Sequence, residues 1–246
     1  MGRYSSKPGR EVRLERLRPA QVAEALSERA VVYVPFGSIE WHGRQNPVGL
    51  DATKAHEQLV GLAQRIGGLV YPPVFLGAGG GHSGYPHSFM ISAGPMQGIV
   101  TELLHGFERD GIRSAVLLSG HYPNKREYLS PAVEAYREAG GEMSVLAVIE
   151  TEIPGGVGDH AGRWETSMQL YLHPETVDLT ALGAPPSEEE GEPASVHNWM
   201  GAEWTGHPCY GILGADPRLY ASASEGKVAC ERLHRYLASW VARTGA

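Results

Sequence analysis

Short, unbroken apolar runs alternate along this chain with longer stretches whose apolar residues recur at helical spacing. Residues 18–28, RPAQVAEALSE, carry helix formers, and 30–37, AVVYVPFG, are a β-branched apolar run ending at glycine. In 51–68, DATKAHEQLVGLAQRIGG, Asp51 is placed as an N-cap, Leu59, Leu62 and Ile66 share a helical face, and Gly-Gly is the stop. LVYPPVF at 69–75 reads as a second strand, LGAGGGHSGYPHSF at 76–89 as a glycine loop, and the following stretch as a helix opened near Pro95. SAVLLSGH at 114–121 and MSVLAVIE at 143–150 are further strands, separated by a helix over 125–141 despite Pro131. Another helix begins near Ala161 and ends at Pro174, 183–218 is a long irregular excursion, and 220–242 closes the chain as a helix. Buried strands alternating with amphipathic helices predict parallel strands covered on both faces, hence α/β class: a three-layer α/β/α sandwich with a mainly parallel central sheet.

A chain of 246 residues builds such a core as a single domain spanning 1–246, and 42% apolar with 20% charged residues is ordinary globular composition. A formal charge of −7 without any Lys/Arg cluster argues against nucleic acid, whose binding rests on phosphate neutralisation. A small-molecule or peptide substrate is expected instead. No run approaches the ~20 apolar residues of a membrane span, and the polar, basic start lacks an apolar segment behind it, so a cytoplasmic protein without membrane contact is expected. Cys209 and Cys230 have no metal-type spacing and receive no role. The acidic run 188–192 reads as a solvated loop.

In parallel α/β sheets, ligands bind outside the carboxyl ends of the strands. Glu40 and His42 follow the first strand, His121 ends the third, and His160 and Glu165 follow the fourth, so all five can face one crevice, with Asp51 joining from its helix start. Glu40 and His42 are two apart, which in an extended segment puts both side chains on one side and Trp41 on the other. Asp51 could be only a cap, or a carboxylate bridging two cations. Imidazole with carboxylates and no thiolate suits Zn²⁺ or Mn²⁺.

VPFGSIEWHGRQNPVGLD, LLSGHYPN and DHAGRWETS together resemble the creatininase family of metal-dependent amidohydrolases. That family shows Gly-Ser-x-Glu-x-His-Gly with an Asp nine residues after the His, then a Gly-His segment, then His-Ala-Gly-x-x-Glu-Thr-Ser. The resemblance covers about residues 30–180 with the motifs in order. It implies an α/β/α fold, two divalent cations (Zn²⁺ and/or Mn²⁺, with Fe²⁺ a further candidate), hydrolysis of cyclic or linear amides, and a homo-oligomer, a hexamer. Carried over, it makes Glu40, His42, Asp51 and His121 metal ligands with Asp51 the bridge, and His160 a general acid/base.

Two departures matter. The family's namesake continues its Gly-His segment with Tyr-Glu-Asn, that Glu being a ligand, whereas this chain has Pro123, which cannot coordinate. Glu165 is therefore expected to complete the second site, giving it both a metal and a catalytic assignment. The namesake also closes its pocket with tryptophans before the His-Ala-Gly segment, where this chain reads IPGGVGDH, so a substrate other than creatinine is expected. The glycine loop aligns with a family segment His-x-x-Phe-Pro-Gly-Thr. That makes His82 and Ser83 pocket-lining candidates, with a plain turn in which His82 and His87 cap neighbours as the alternative; Tyr122, beside His121, is a further substrate contact. The expected chemistry is water activated by the cations, with His160 donating a proton to the departing nitrogen. The rivals are the same site acting on a lactone, a peptide or a carbon–carbon bond beside a ketone, and a non-catalytic oligomeric scaffold.

Overall fold

The protein is described here by a computed structural model covering residues 10–186 and 196–245. The acidic run 188–192 lies outside the described residues. In chain order the main elements are α1 (Pro19–Glu28), β1 (Val31–Phe36), α2 (Leu50–Ile66), β2 (Leu69–Val70), α3 (Ala93–Arg109) and β3 (Ser114–Ser119). They continue with α4 (Ser130–Glu138), β4 (Ser144–Ile149), α5 (Arg163–Leu172), β5 (His197–Asn198), β6 (Leu213–Gly214), α6 (Pro217–Tyr220) and α7 (Ala223–Thr244).

The central sheet runs β2-β1-β3-β4 with every pairing parallel. Alternate side chains feed two cores. Val32, Val34, Phe36, Ala115 and Leu117 face the cluster formed with α3 and α4, while Val31, Tyr33, Val116, Leu118 and Val148 face α2 and α7. A sheet buried on both faces needs apolar residues at every strand position, which is why these runs are unbroken. This is the expected three-layer sandwich. Among the described residues, no helix is long and apolar enough to cross a membrane.

Three expected elements differ in detail. The helix expected to be capped by Asp51 begins at Leu50 with Gly49 at the cap position and no side-chain cap bond, so Asp51 stands inside the first turn of α2. The second strand keeps regular pairing only over Leu69–Val70, because Pro72 and Pro73 cannot donate to a ladder; Val74 returns as an isolated bridge to Phe36. The helix containing Pro131 starts as a π-turn over Lys125–Leu129, and Pro131 then falls in the first turn of α4, where no backbone donor is required. The excursion 183–218 holds, in its described part, the β5–β6 ribbon, a short 3₁₀ turn at Ala202–Trp204 and the start of α6.

The strand order places the reversal of chain direction between β1 and β3, so their carboxyl ends flank the crevice at the switch point. Gly37 and Gly120, just past β1 and β3, let the start of α2 sink between them. A Cβ on Gly37 would lie 2.1 Å from the Ala52 nitrogen, and one on Gly120 would lie 2.2 Å from the Asp51 carbonyl oxygen. That close approach carries the Asp51 side chain into the crevice.

Candidate metal centre

The polar residues that follow β1, β3 and β4 converge there. Asp51 sits at the centre: Oδ1 is 3.1 Å from His42 Nε2, and Oδ2 is 3.4 Å from His121 Nδ1 and 2.6 Å from the Ser38 hydroxyl, which donates to it. The same His121 nitrogen meets Glu40 Oε2 at 2.8 Å, while Glu40 Oε1 meets His82 Nδ1 at 2.5 Å. Beyond His42, Glu165 Oε2 lies 3.7 Å from Nε2. Glu40, His42, Asp51, His121 and Glu165 are all buried. Among the described residues, three combinations bring one donor atom each within 4.8 Å of the others: Glu40/Asp51/His121, His42/His160/Glu165 and Glu40/His82/His160.

The backbone fixes which nitrogens face the cluster. His42 Nδ1 is 3.0 Å from the Glu40 carbonyl oxygen, which only accepts, so Nδ1 carries the proton and Nε2 is turned towards Asp51 and Glu165. His160 Nε2 likewise donates to the Trp41 carbonyl at 2.9 Å, leaving Nδ1 as its free nitrogen. The His160 ring stacks on His82 at 3.9 Å and lies 4.5 Å from the His42 ring, centroid to centroid. Trp41 itself turns away, its indole N–H donating to the Tyr210 carbonyl.

Three carboxylates in one buried cluster call for positive charge. Burial alone would lower His42, but the charge of Asp51 and the contact with it, helped by Glu165 and Glu40, push it up to about 9. Burial is likewise overcome at His121, which Asp51 and Glu40 push up to about 10. Glu40 and Asp51 are held low against the opposite pull of burial, Glu40 by its bonds to His121 and His82, Asp51 by His42 and His121. His160 moves the other way. Burial, then the charges of His42 and His82, push it down to about 4, away from the near-neutral value expected of a proton-loaded acid. A site whose carboxylates hold protons on two histidines has the charge and donor set that divalent cations match by displacing those protons.

A cavity of about 340 Å³ opens over this cluster, its wall continued by Tyr122, Pro123, Thr151, Gly158 and Leu213. His82 and Tyr122 are among its lining residues, whereas Ser83 is exposed and is not. Several supporting residues escaped the sequence reading. Asn124 ties three loops together, accepting from the Ala78 N–H and donating to the Gly37 carbonyl and the Ser119 hydroxyl. Asp159 accepts the N–H groups of Trp164 and Glu165 and so anchors the start of α5. Its position next to His160 was the available signal. Ala161 adopts a left-handed φ of 55°, held because its N–H donates to Glu165 Oε2 and its carbonyl accepts from Gln45. Lys54, fully buried on α2, donates to Glu150 and Glu165 at 2.8 and 3.1 Å.

Fold and cluster define a class: a parallel-sheet α/β/α domain with a buried histidine–carboxylate cluster beneath an open cavity at the switch point. Within that class the chain belongs to the creatininase family, whose profile, described as creatinine amidohydrolase, matches residues 15–241. Creatinine amidohydrolase of Pseudomonas putida is 31% identical over 173 residues, 61% of this chain and 66% of that protein. The mycofactocin precursor peptide peptidase of Mycolicibacterium smegmatis is 30% identical over 156 residues, 60% of each chain. The aligned regions thus span less than two thirds of either relative. A solved mutant creatininase in its Zn-Zn form superposes with a TM-score of 0.75 at 22% identity, over 94% of this chain and 97% of the other, which bears on the fold alone.

Proposed function

We propose that this protein is a metal-dependent amidohydrolase that cleaves a cyclic or linear amide other than creatinine. The observation that carries the reading is the position of Asp51, with one carboxylate oxygen facing His42 and the other facing His121. Glu40, Asp51 and His121 would hold one cation, and Asp51, His42 and Glu165 the other, Glu165 taking the part that Pro123 cannot. Zn²⁺ and Mn²⁺ suit this donor set, and solved creatininases are described in Zn-Zn and Mn forms. When bound, such cations supply a water ionised near neutral pH and polarise the scissile carbonyl.

The chain's own residues do the rest. With Nε2–H committed to the Trp41 carbonyl, His160 is neutral and has Nδ1 left to take up a proton, so it accepts the one that the attacking water gives up on ionising and then delivers it to the departing nitrogen. An amine leaves poorly as an anion, which is why that proton is needed. Tyr122 and Leu213 bound the substrate space, and the segment IPGGVGDH, where by the resemblance the namesake places tryptophans, adds no aromatic ring beside Tyr122. A flat heterocycle loses much of its binding surface there. The names of the relatives, one acting on a ring amide and one on a peptide, bracket the bond type. We further propose a cytoplasmic homo-oligomer, a hexamer, on the family resemblance.

Metal analysis of protein purified without chelator, followed by a panel of cyclic amides, formamides, lactones and short peptides, tests the reading. About two cations per chain are expected, with amide hydrolysis that disappears on chelation and returns with Zn²⁺ or Mn²⁺. Metal-free protein as purified would favour the scaffold rival, creatinine as the best substrate would refute the preference, and metal-independent hydrolysis would refute the mechanism.

A further inference from the structure

Lys54 is used by no step above, yet it is among the most buried side chains of the molecule, with none of its surface exposed. It lies three residues after Asp51 on α2. Its ammonium is 2.8 Å from Glu150 Oε2 and 3.1 Å from Glu165 Oε1, and sits over the Tyr122 ring at 5.4 Å from the centroid. Burying an ammonium is costly, so a partner carboxylate is expected. Glu150 alone would meet that need. The second bond, to Glu165, is what an ordinary buried ion pair leaves unexplained.

Glu165 has two oxygens with different surroundings. Oε1 is taken by Lys54, whereas Oε2 accepts from the Ala161 N–H and faces His42 Nε2. A carboxylate held this way cannot turn both oxygens to the cluster. Because Pro123 offers no donor, the His42 half of the cluster depends on Glu165 for the one carboxylate it does not share through Asp51.

We propose that Lys54 is a positioning residue that fixes Glu165 by Oε1, so that Glu165 serves the His42 half of the cluster through Oε2 alone. This rests on the metal reading given above. Groups that orient metal ligands in this way typically change affinity by about 10–100-fold when removed. The effect should fall on the cation at His42 and Glu165, and leave the one at Glu40, Asp51 and His121 within about twofold.

The test compares full-length, chelator-stripped wild type with Glu150→Gln, Lys54→Met and the double variant Lys54→Met/Glu150→Gln. In the double variant Glu150 no longer carries an unpartnered charge. Zn²⁺ is titrated into each against a chromophoric chelator to resolve two affinities, and a thermal melt of the metal-free protein reports folding. Expected are two tight sites in wild type and Glu150→Gln, where Lys54 still holds Glu165. The double variant should keep one tight site and weaken the other about 10–100-fold. Unchanged affinities, equal weakening of both, or failure of both Lys54 variants to fold would make the pair merely structural and overturn the proposal. Wild type that binds fewer than two cations would instead overturn the metal reading itself, and this inference with it.

Discussion

Loading the metal-free protein with cations should expel protons, and the structure says how many. His42 is pushed up to about 9 and His121 to about 10, so at pH 7.5 the pair holds about two protons. A histidine that coordinates must give its proton up. Filling both sites at pH 7.5 should therefore release about two protons per chain, falling to about one near pH 9.5, and apparent affinity at each site should rise about tenfold between pH 7 and 8. The sign for folding follows from the same shifts. Groups raised above their unfolded value of about 6.5 stabilise the metal-free fold fully below that pH, and this contribution is lost as pH climbs through about 9 and 10. Calorimetric titration of Zn²⁺ into stripped protein, in buffers of different ionisation enthalpy, counts the protons. Ionisation of a bound water contributes up to about one by itself. A release of one or fewer at pH 7.5 would mean the histidines are already neutral, and the electrostatic account of the cluster would be wrong.

Three further outcomes are expected. His160→Gln should lower kcat by about 10²–10⁴-fold with metal content unchanged, measured on the best panel substrate; loss of a cation would make His160 a ligand rather than the proton carrier. Gly120→Ala forces a Cβ to 2.2 Å from the Asp51 carbonyl oxygen, so it should lower stability by about 3 kcal/mol in denaturant melts and weaken metal binding, whereas full retention of both would show that α2 can retreat without cost. His234 is buried, donates Nε2–H to the Gln58 carbonyl at 2.7 Å, and is pushed down to about 4 chiefly by burial. Its folded form favours the neutral ring, so its contribution is present above about 6.5 and is lost as pH falls towards 4, by about 3 kcal/mol in all. His234→Gln should flatten that stretch of the stability–pH curve by about one proton, and an unchanged slope would assign the acid sensitivity elsewhere.

The alternation of apolar runs and amphipathic helices was enough to read the layered sheet, because a strand buried on both faces can hide no polar residue and so announces itself. Placement of Glu40, His42, Asp51 and His121 was legible for a related reason: each follows an element boundary that the pattern already marked. What stayed hidden depends on contacts across the sheet. Strand order, and hence the switch point between β1 and β3, is set by which crossovers pack, and a single sequence carries no marker of it. His82 reaches Glu40 only because a glycine loop folds back over His121, so its spacing to the other site residues has no fixed meaning.

Lys54 shows where a signal was present and passed over. Asp51, Lys54 and Gln58 lie at i, i+3 and i+7 on α2, a polar stripe bordering the apolar one of Leu59 and Leu62, and all three are buried. A lysine in such a stripe reads at first as solvated, since lysine is almost never buried unpaired. The same fact, turned round, is the clue: a stripe that begins with a candidate ligand points into the site, and a lysine on it must meet carboxylates there. Glu150, at the end of β4, and Glu165, on α5, are the partners it meets. The ion pair thus links three elements that bring up the crevice, and its worth lies in the direction it gives to Glu165 more than in stability, where a buried pair often gains little over a well-packed apolar one.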